Sequence, residues 1–231
     1  VNKDSNLPWR PDPEAIRDVL RETVREQVTV EGRVFSIDRP ARSETLLNDP
    51  AARAAFTVDE YLPYWAALWP AATMLSKAIL REPWPPGAEA LEIGCGLGLP
   101  GIAALAAGLQ VIFSDYDATA LEFAAANARL NGFSDFRTMH LDWWSPPEGL
   151  QFPIVLASDL VYEPRNVEPL VSLLAKVIAP GGVCWMTEQE RVPSRKLREA
   201  LAGLGLPIEM RTARGEGPDG KRVKGTLYRI G

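Results

Sequence analysis

From Glu89 to the C-terminus, short β-branched or apolar runs alternate with longer stretches of helical period, and this rhythm admits few folds. Strands are expected near Glu89 to Ile93, Gln110 to Ser114, Arg137 to Leu141, Ile154 to Ser158, Val183 to Thr187, Ile208 to Arg211 and Gly225 to Ile230. Helical patterns lie between them at Pro100 to Ala107, Ala118 to Asn131, Val167 to Ile178 and Ser194 to Leu204. Pro180-Gly181-Gly182 reads as the stop of one helix and the start of the next strand. The segment Gly215-Glu216-Gly217-Pro218-Asp219-Gly220 reads as a loop joining two antiparallel strands. The expected fold class is α/β, a seven-stranded and mostly parallel sheet that closes with an antiparallel hairpin.

Residues 1–60 precede this pattern and are expected to form an N-terminal extension, with residues 61–231 as the main domain. Pro13 to Val28 places Ile16, Val19, Leu20 and Val24 on one helical face, and Val28 to Ile37 alternates around Glu31-Gly32 as a hairpin would. Hydrophobic residues make up 46% of the 231, enough for a full core, so disorder is excluded. Val1 to Arg25 is charged throughout, without the apolar stretch of a secretory signal, and no apolar run reaches membrane-spanning length. Cys95 and Cys184 are the only cysteines, which excludes a disulfide scaffold and a zinc cluster and makes a reducing cytoplasm the expected location. The net charge of −5 conceals a division: residues 189–231 carry 10 basic and 5 acidic side chains on an otherwise acidic chain. Such a basic end suits an acidic protein face or a phosphate backbone, or is merely a solvated edge.

Leu91-Glu92-Ile93-Gly94-Cys95-Gly96-Leu97-Gly98 follows a strand and opens a helix. Glycines at such a place let the backbone turn sharply and approach a ligand, while the helix N-terminus aims amide hydrogens at it. The dinucleotide fingerprint has its third glycine later and meets a pyrophosphate. Here Glu92 stands two residues before Gly94 and no lysine or arginine is near, so a cationic ligand group is favoured, such as the amino group or sulfonium of S-adenosylmethionine. Asp115 ends the second strand of the series, where a carboxylate accepts ribose hydroxyls; Asp117 is open to a simple helix-capping role. Asp142 and Trp143 follow the third strand, suited to an adenine amino group and to the ring face. Cys95 reads as a packed side chain rather than an activated thiol, and His140 as a packed or partly exposed ring with no role as a base.

With these residues in place, the chain resembles the class I, seven-β-strand S-adenosylmethionine-dependent methyltransferases over residues 61–231. That resemblance implies a Rossmann-like sheet of order 3-2-1-4-5-7-6 with the seventh strand antiparallel, and S-adenosyl-L-homocysteine as the product. After the fourth strand come Ser158-Asp159-Leu160-Val161-Tyr162-Glu163, and this D-x-x-Y looks like the motif of the seven-β-strand protein lysine methyltransferases. The segment Leu62 to Ala72, with Trp65 and Trp69, is similar to the tryptophan-containing helix of the same group, including the electron-transfer-flavoprotein β-subunit enzymes. The N-P-P-Y motif of nucleobase and glutamine methyltransferases is absent, and Cys184 sits in the fifth strand rather than where a cytosine nucleophile belongs.

The resemblance therefore implies transfer of methyl to a protein lysine. Asp159 and Tyr162 are the expected acceptor-site pair, Asp159 orienting the amine and Tyr162 walling the channel. Trp69, Glu92, Gly94, Gly96, Gly98, Asp115, Asp142, Trp143 and Ser158 are the expected cofactor-binding residues, with Trp65 a lesser candidate for the wall. No metal is expected. Two alternatives stay open: a small-molecule N-methyltransferase, and a metal-dependent O-methyltransferase in which Asp159 joins Glu188 and Gln189 around a cation. The expected partner is a protein substrate, with no membrane and no nucleic acid; no aromatic–basic interleaving supports the latter.

Overall fold

In the computed structural model the described residues are 22–41, 43, 64–189, 194–217 and 220–231. The chain begins with a hairpin of β1 (Thr23–Val30) and β2 (Arg33–Pro40). Glu31 and Gly32, at φ 50 and 76, make the two-residue turn, which requires positive φ at both positions. The expected hairpin is therefore present and longer than its sequence span, while the end of the expected Pro13–Val28 helix is strand from Thr23 onward. Cross-strand pairing explains the difference: Arg25 donates to both carboxylate oxygens of Asp38 at 2.7 and 2.8 Å, and Val28 sits opposite Phe35. Residues 13–21 of that helix lie outside the described residues.

The main sheet contains β3 (Glu89–Ile93), β4 (Gln110–Asp115), β5 (Arg137–His140), β6 (Phe152–Ser158), β7 (Ile178–Gln189), β8 (Ile208–Glu216) and β9 (Arg222–Ile230). Their spatial order is β5-β4-β3-β6-β7-β9-β8, with β9 running antiparallel to the other six. Counted from β3, this is 3-2-1-4-5-7-6. Helices α1 (Pro70–Arg81), α2 (Leu99–Ala106), α3 (Ala118–Leu130), α4 (Val167–Val177) and α5 (Ser194–Ala202) cover the two faces.

Period-two alternation divides the strands between two cores. Ala90, Phe113, Ile154, Leu156 and Trp185 pack with Leu75, Ile79, Ile102 and the hairpin residues Val30, Phe35 and Ile37. Leu91, Ile93, Val155, Ala157, Cys184 and Met186 pack with Leu170, Leu174, Leu197 and Leu201 on the other face. Pro180-Gly181-Gly182 lies inside β7 rather than before it: the strand starts at Ile178, pairs with Phe152, and resumes at Val183 opposite Ile154 after a register shift.

A polar network and a close backbone approach brace the sheet. Glu188, on the α5 face of β7, accepts from the Tyr228 hydroxyl at 2.5 Å and from Ser194 Oγ at 2.8 Å, joining β7, β9 and α5. Gly215 and Gly225 face α1 so closely that an added Cβ would lie 2.2 Å from the Pro70 oxygen and 2.8 Å from the Met74 sulfur respectively.

Candidate active site

Strand order reverses between β3 and β6, and at such a switch point the loops leaving the strand ends diverge and open a crevice. A cavity of about 410 Å³ occupies it, floored by Gly94 to Pro100. Its walls are Tyr64, Trp65 and Trp69, then Asp115 to Asp117, Asp142 to Trp144, and Ser158 to Leu160 with Tyr162, Arg165 and Asn166.

The floor is bare backbone for a steric reason. Gly94 has φ 58, and a Cβ there would stand 2.5 Å from Leu160 Cδ2 and 3.3 Å from Trp143 Cζ2. Gly98, at φ 84, caps the N-terminus of α2 and sits against Ala124. Cross-links from β4 hold the turn: the Cys95 amide donates to the Ser114 oxygen at 2.9 Å, and the Gly96 amide donates to Asp115 Oδ2 at 2.9 Å. Asp115 Oδ1 accepts from the Asp117 amide at 3.0 Å, so each carboxylate oxygen keeps acceptor capacity toward the cavity. Burial raises the Asp115 pKa to about 6, against the pull of these amides. Asp117 takes the capping role, accepting from the Thr119 amide at 2.7 Å.

Glu92 does not line the cavity. It is buried behind the loop, accepts from the Gly101 amide of α2 at 3.1 Å, and leaves Oε1 without a partner. Burial raises its pKa well above the usual carboxylate range, so it bears on the cavity only through the loop and helix it supports. Cys95 is packed as expected, its thiol pKa raised by burial and by Asp115 and Glu92. His140 is exposed at the end of β5, its ring 5.6 Å from that of Tyr116.

On the other side of the crevice Asp159 adopts φ 55, in the left-handed region that non-glycine residues seldom occupy. Its amide donates to the Thr187 oxygen at 2.8 Å, and its Oδ2 accepts from Gln189 Nε2 at 2.6 Å. The end of β7 thus fixes both backbone and carboxylate of Asp159 beside the cavity. Tyr162 packs against Tyr64 with ring centroids 4.5 Å apart and planes tilted by 49°, and burial raises its phenol pKa. Arg165 also lines the cavity and is paired with Glu163 at 2.6 Å. Glu188 points to Tyr228 and Ser194 on the α5 face, so it does not join Asp159 in an oxygen cluster, and no group of three metal-ligating side chains occurs among the described residues.

Of the residues assigned from sequence, Trp69, Gly94, Gly96, Gly98, Asp115, Asp142, Trp143, Ser158, Asp159 and Tyr162 all line this one cavity, and Glu92 lies beneath it. Tyr64, Tyr116, Trp144, Arg165 and Asn166 join them without having been singled out. For Tyr64 and Trp144 a signal existed, since each is an aromatic residue adjacent to an assigned tryptophan or its segment. Arg165 and Asn166, on a short turn after Pro164, carried none.

A bare glycine floor under a carboxylate at one strand end, with a second carboxylate and an indole at the next, fits S-adenosylmethionine. The cavity is that of a class I methyltransferase, and S-adenosylmethionine is its methyl donor. The profile of a lysine methyltransferase family matches residues 64–199, and the chain belongs to that family. A histone-arginine methyltransferase of Homo sapiens is 31% identical over 147 residues, covering 58% of this chain and 75% of that protein. The electron transfer flavoprotein beta subunit lysine methyltransferase of Mus musculus is 30% identical over 103 residues, 44% of this chain and 40% of the other. A histidine protein methyltransferase 1 homolog of Dictyostelium discoideum is 32% identical over 109 residues, 45% of this chain and 35% of the other. The chain thus spans well under two thirds of the latter two relatives. Among solved structures, the ribosomal protein L11 methylase of Lactobacillus delbrueckii subsp. bulgaricus superposes with TM-score 0.54 at 21% identity, covering 68% of this chain and 77% of that one. The N-methyltransferase NodS of Bradyrhizobium japonicum also gives 0.54, at 18% identity over 69% and 92% of the two chains. These similarities show the shared fold. No helix among the described residues is long and apolar enough to cross a membrane.

Proposed function

We propose that the protein transfers a methyl group from S-adenosylmethionine to the side-chain amine of a lysine in a protein substrate. The observation that carries this reading is Asp159, whose buried carboxylate is held by Gln189 and whose backbone amide is held by the Thr187 oxygen, at the cavity wall beside the tyrosine pair. S-adenosylmethionine supplies the methyl group and a sulfonium leaving group, so the chain needs mainly to align the acceptor. Asp159 holds the incoming ammonium by charge, and the amine attacks once its proton has passed to water. Tyr64 and Tyr162 wall the channel and favour the cation by their ring faces. On the donor side, Asp115 and Asp142 accept from the ribose and adenine, Trp69 and Trp143 pack against the ligand, and Gly94, Gly96, Gly98 and Ser158 leave it room. Residues 61–231 form the catalytic unit in this reading, with residues 1–60 an extension to it. The relatives' names support a protein acceptor and include lysine, arginine and histidine, which is why the acceptor atom needs its own test.

The experiment is transfer of labelled methyl into a lysate separated into protein and small-molecule fractions, followed by mass spectrometry of the labelled residue. Label on lysine of a discrete protein supports the reading, whereas label on arginine, on histidine or only in the small-molecule fraction overturns it. Asp159→Asn is expected to bind S-adenosylhomocysteine as the wild type does and to lose about 100-fold in turnover, the cost of a misaligned acceptor.

A further inference from the structure

Helix α3 and its C-cap carry two asparagines four residues apart, Asn127 and Asn131, which bond the N-terminal hairpin. Asn131 accepts from the Ser36 amide at 2.9 Å and donates to the Ser36 oxygen at 2.7 Å. Asn127 does the same one strand repeat further on, accepting from the Asp38 amide at 2.8 Å and donating to the Asp38 oxygen at 3.0 Å. The two carboxamides thereby complete the outer edge of β2 as a neighbouring strand would, which removes an exposed edge. Asn127 differs from Asn131 in one respect. Its second N–H donates at 3.0 Å to the oxygen of Leu97, inside the glycine loop of the cofactor site. Asn127 is fully buried, and its side-chain bonds all go to these two backbones.

A second contact joins the N-terminal region to the same loop. The backbone of Trp65 lies over Gly96, its oxygen 3.5 Å from where a Cβ would stand. The chain is therefore fastened to adjacent residues of the cofactor loop on both sides of residues 42–63: at Asp38 through Asn127 to Leu97, and at Trp65 on Gly96.

We infer that Asn127 is a positioning residue that couples the seating of the N-terminal hairpin to cofactor binding. Its carboxamide fixes the Leu97 peptide only while Asp38 holds the other side of the same group. Seating the hairpin orders the loop, and a ligand on the loop holds the hairpin in return, because a coupling free energy between two sites is reciprocal. Asn131 anchors the hairpin without touching the loop and separates the two effects. The inference concerns the donor site and stands whatever the methyl acceptor is.

The first test needs no variant: amide exchange followed by NMR in the whole chain, with and without S-adenosylhomocysteine. Exchange of the Ser36 and Asp38 amides, remote from the ligand, is expected to slow on ligand binding by more than that of the core-strand amides, which report global stabilisation alone, and equal slowing or unchanged rates would overturn the inference. In a second test, Asn127→Ala is expected to weaken S-adenosylhomocysteine binding about fivefold to tenfold, as for a buried hydrogen bond lost from the loop, and to remove this extra protection of Ser36 and Asp38 at saturating ligand. Asn131→Ala is expected to speed exchange at Ser36 while leaving ligand affinity within about twofold. Equal losses of affinity in the two variants would reduce Asn127 to a structural anchor and sink the coupling.

Discussion

At the scale of single residues, Asp115 shows how one side chain is pulled in two directions. Burial favours its neutral form, while two backbone amides, and a ligand's hydroxyls in the proposed site, favour the carboxylate. Its folded pKa of about 6 lies above the ordinary 3.8. Between those values the unfolded chain releases a proton that the folded chain keeps, so rising pH across this window lowers the stability of the ligand-free protein. Ligand hydroxyls donate best to the ionised form. Affinity for S-adenosylhomocysteine, measured by calorimetry, should therefore rise as pH passes upward through about 6 in the wild type and stay flat in Asp115→Asn. The place of Asp115 was legible in sequence because strand ends at a glycine loop have a fixed relation to the crevice. The place of Glu92 was not. Two residues before Gly94 it sits in β3 with its side chain on the α2 face, and strand alternation carried it under the loop rather than toward the ligand.

At the scale of elements, local pattern sufficed wherever a strand was short and buried on both faces, as for β3, β4 and β6. It fell short where long-range pairing decided the outcome. Thr23 to Val28 has a helical stripe, yet it forms strand because Arg25 and Asp38 pair across the hairpin and β2 finds partners on α3. Ile178 to Gly182 reads as a helix ending, yet it extends β7 because Phe152 offers an edge to pair with. The asparagines at 127 and 131 stand at helical spacing after an alanine-rich run, but nothing in the sequence pairs them with the hairpin's second strand. The α1 contact with the last two strands is equally invisible in sequence, and it gives a testable consequence. Gly225→Ala would force a methyl against the Glu188 oxygen and the Met74 sulfur, 2.2 and 2.8 Å away. Overpacking of this kind costs about 1–3 kcal/mol, and a denaturant titration should show the midpoint falling with the slope unchanged.

For the whole molecule, the switch point explains why the proposed donor and acceptor residues line one cavity: β3, β4 and β5 deliver the glycine loop, Asp115 and Asp142, while β6 and β7 deliver Asp159 and its clamp. The hydrophobic layers hold these strand ends in register, so ligand binding should be felt globally. S-adenosylhomocysteine at about one hundred times its Kd should add about 2.7 kcal/mol and raise the melting temperature by about 5–10 °C, as read by calorimetry. The φ of 55 at Asp159 sets the opposite relation between fold and function. Asparagine enters the left-handed region as aspartate does and keeps an acceptor for Gln189, while it removes a buried charge. Asp159→Asn should therefore melt no lower than the wild type by calorimetry while losing turnover. A library of variants selected for heat resistance alone would accept asparagine at this position, and only selection for turnover would bring the aspartate back.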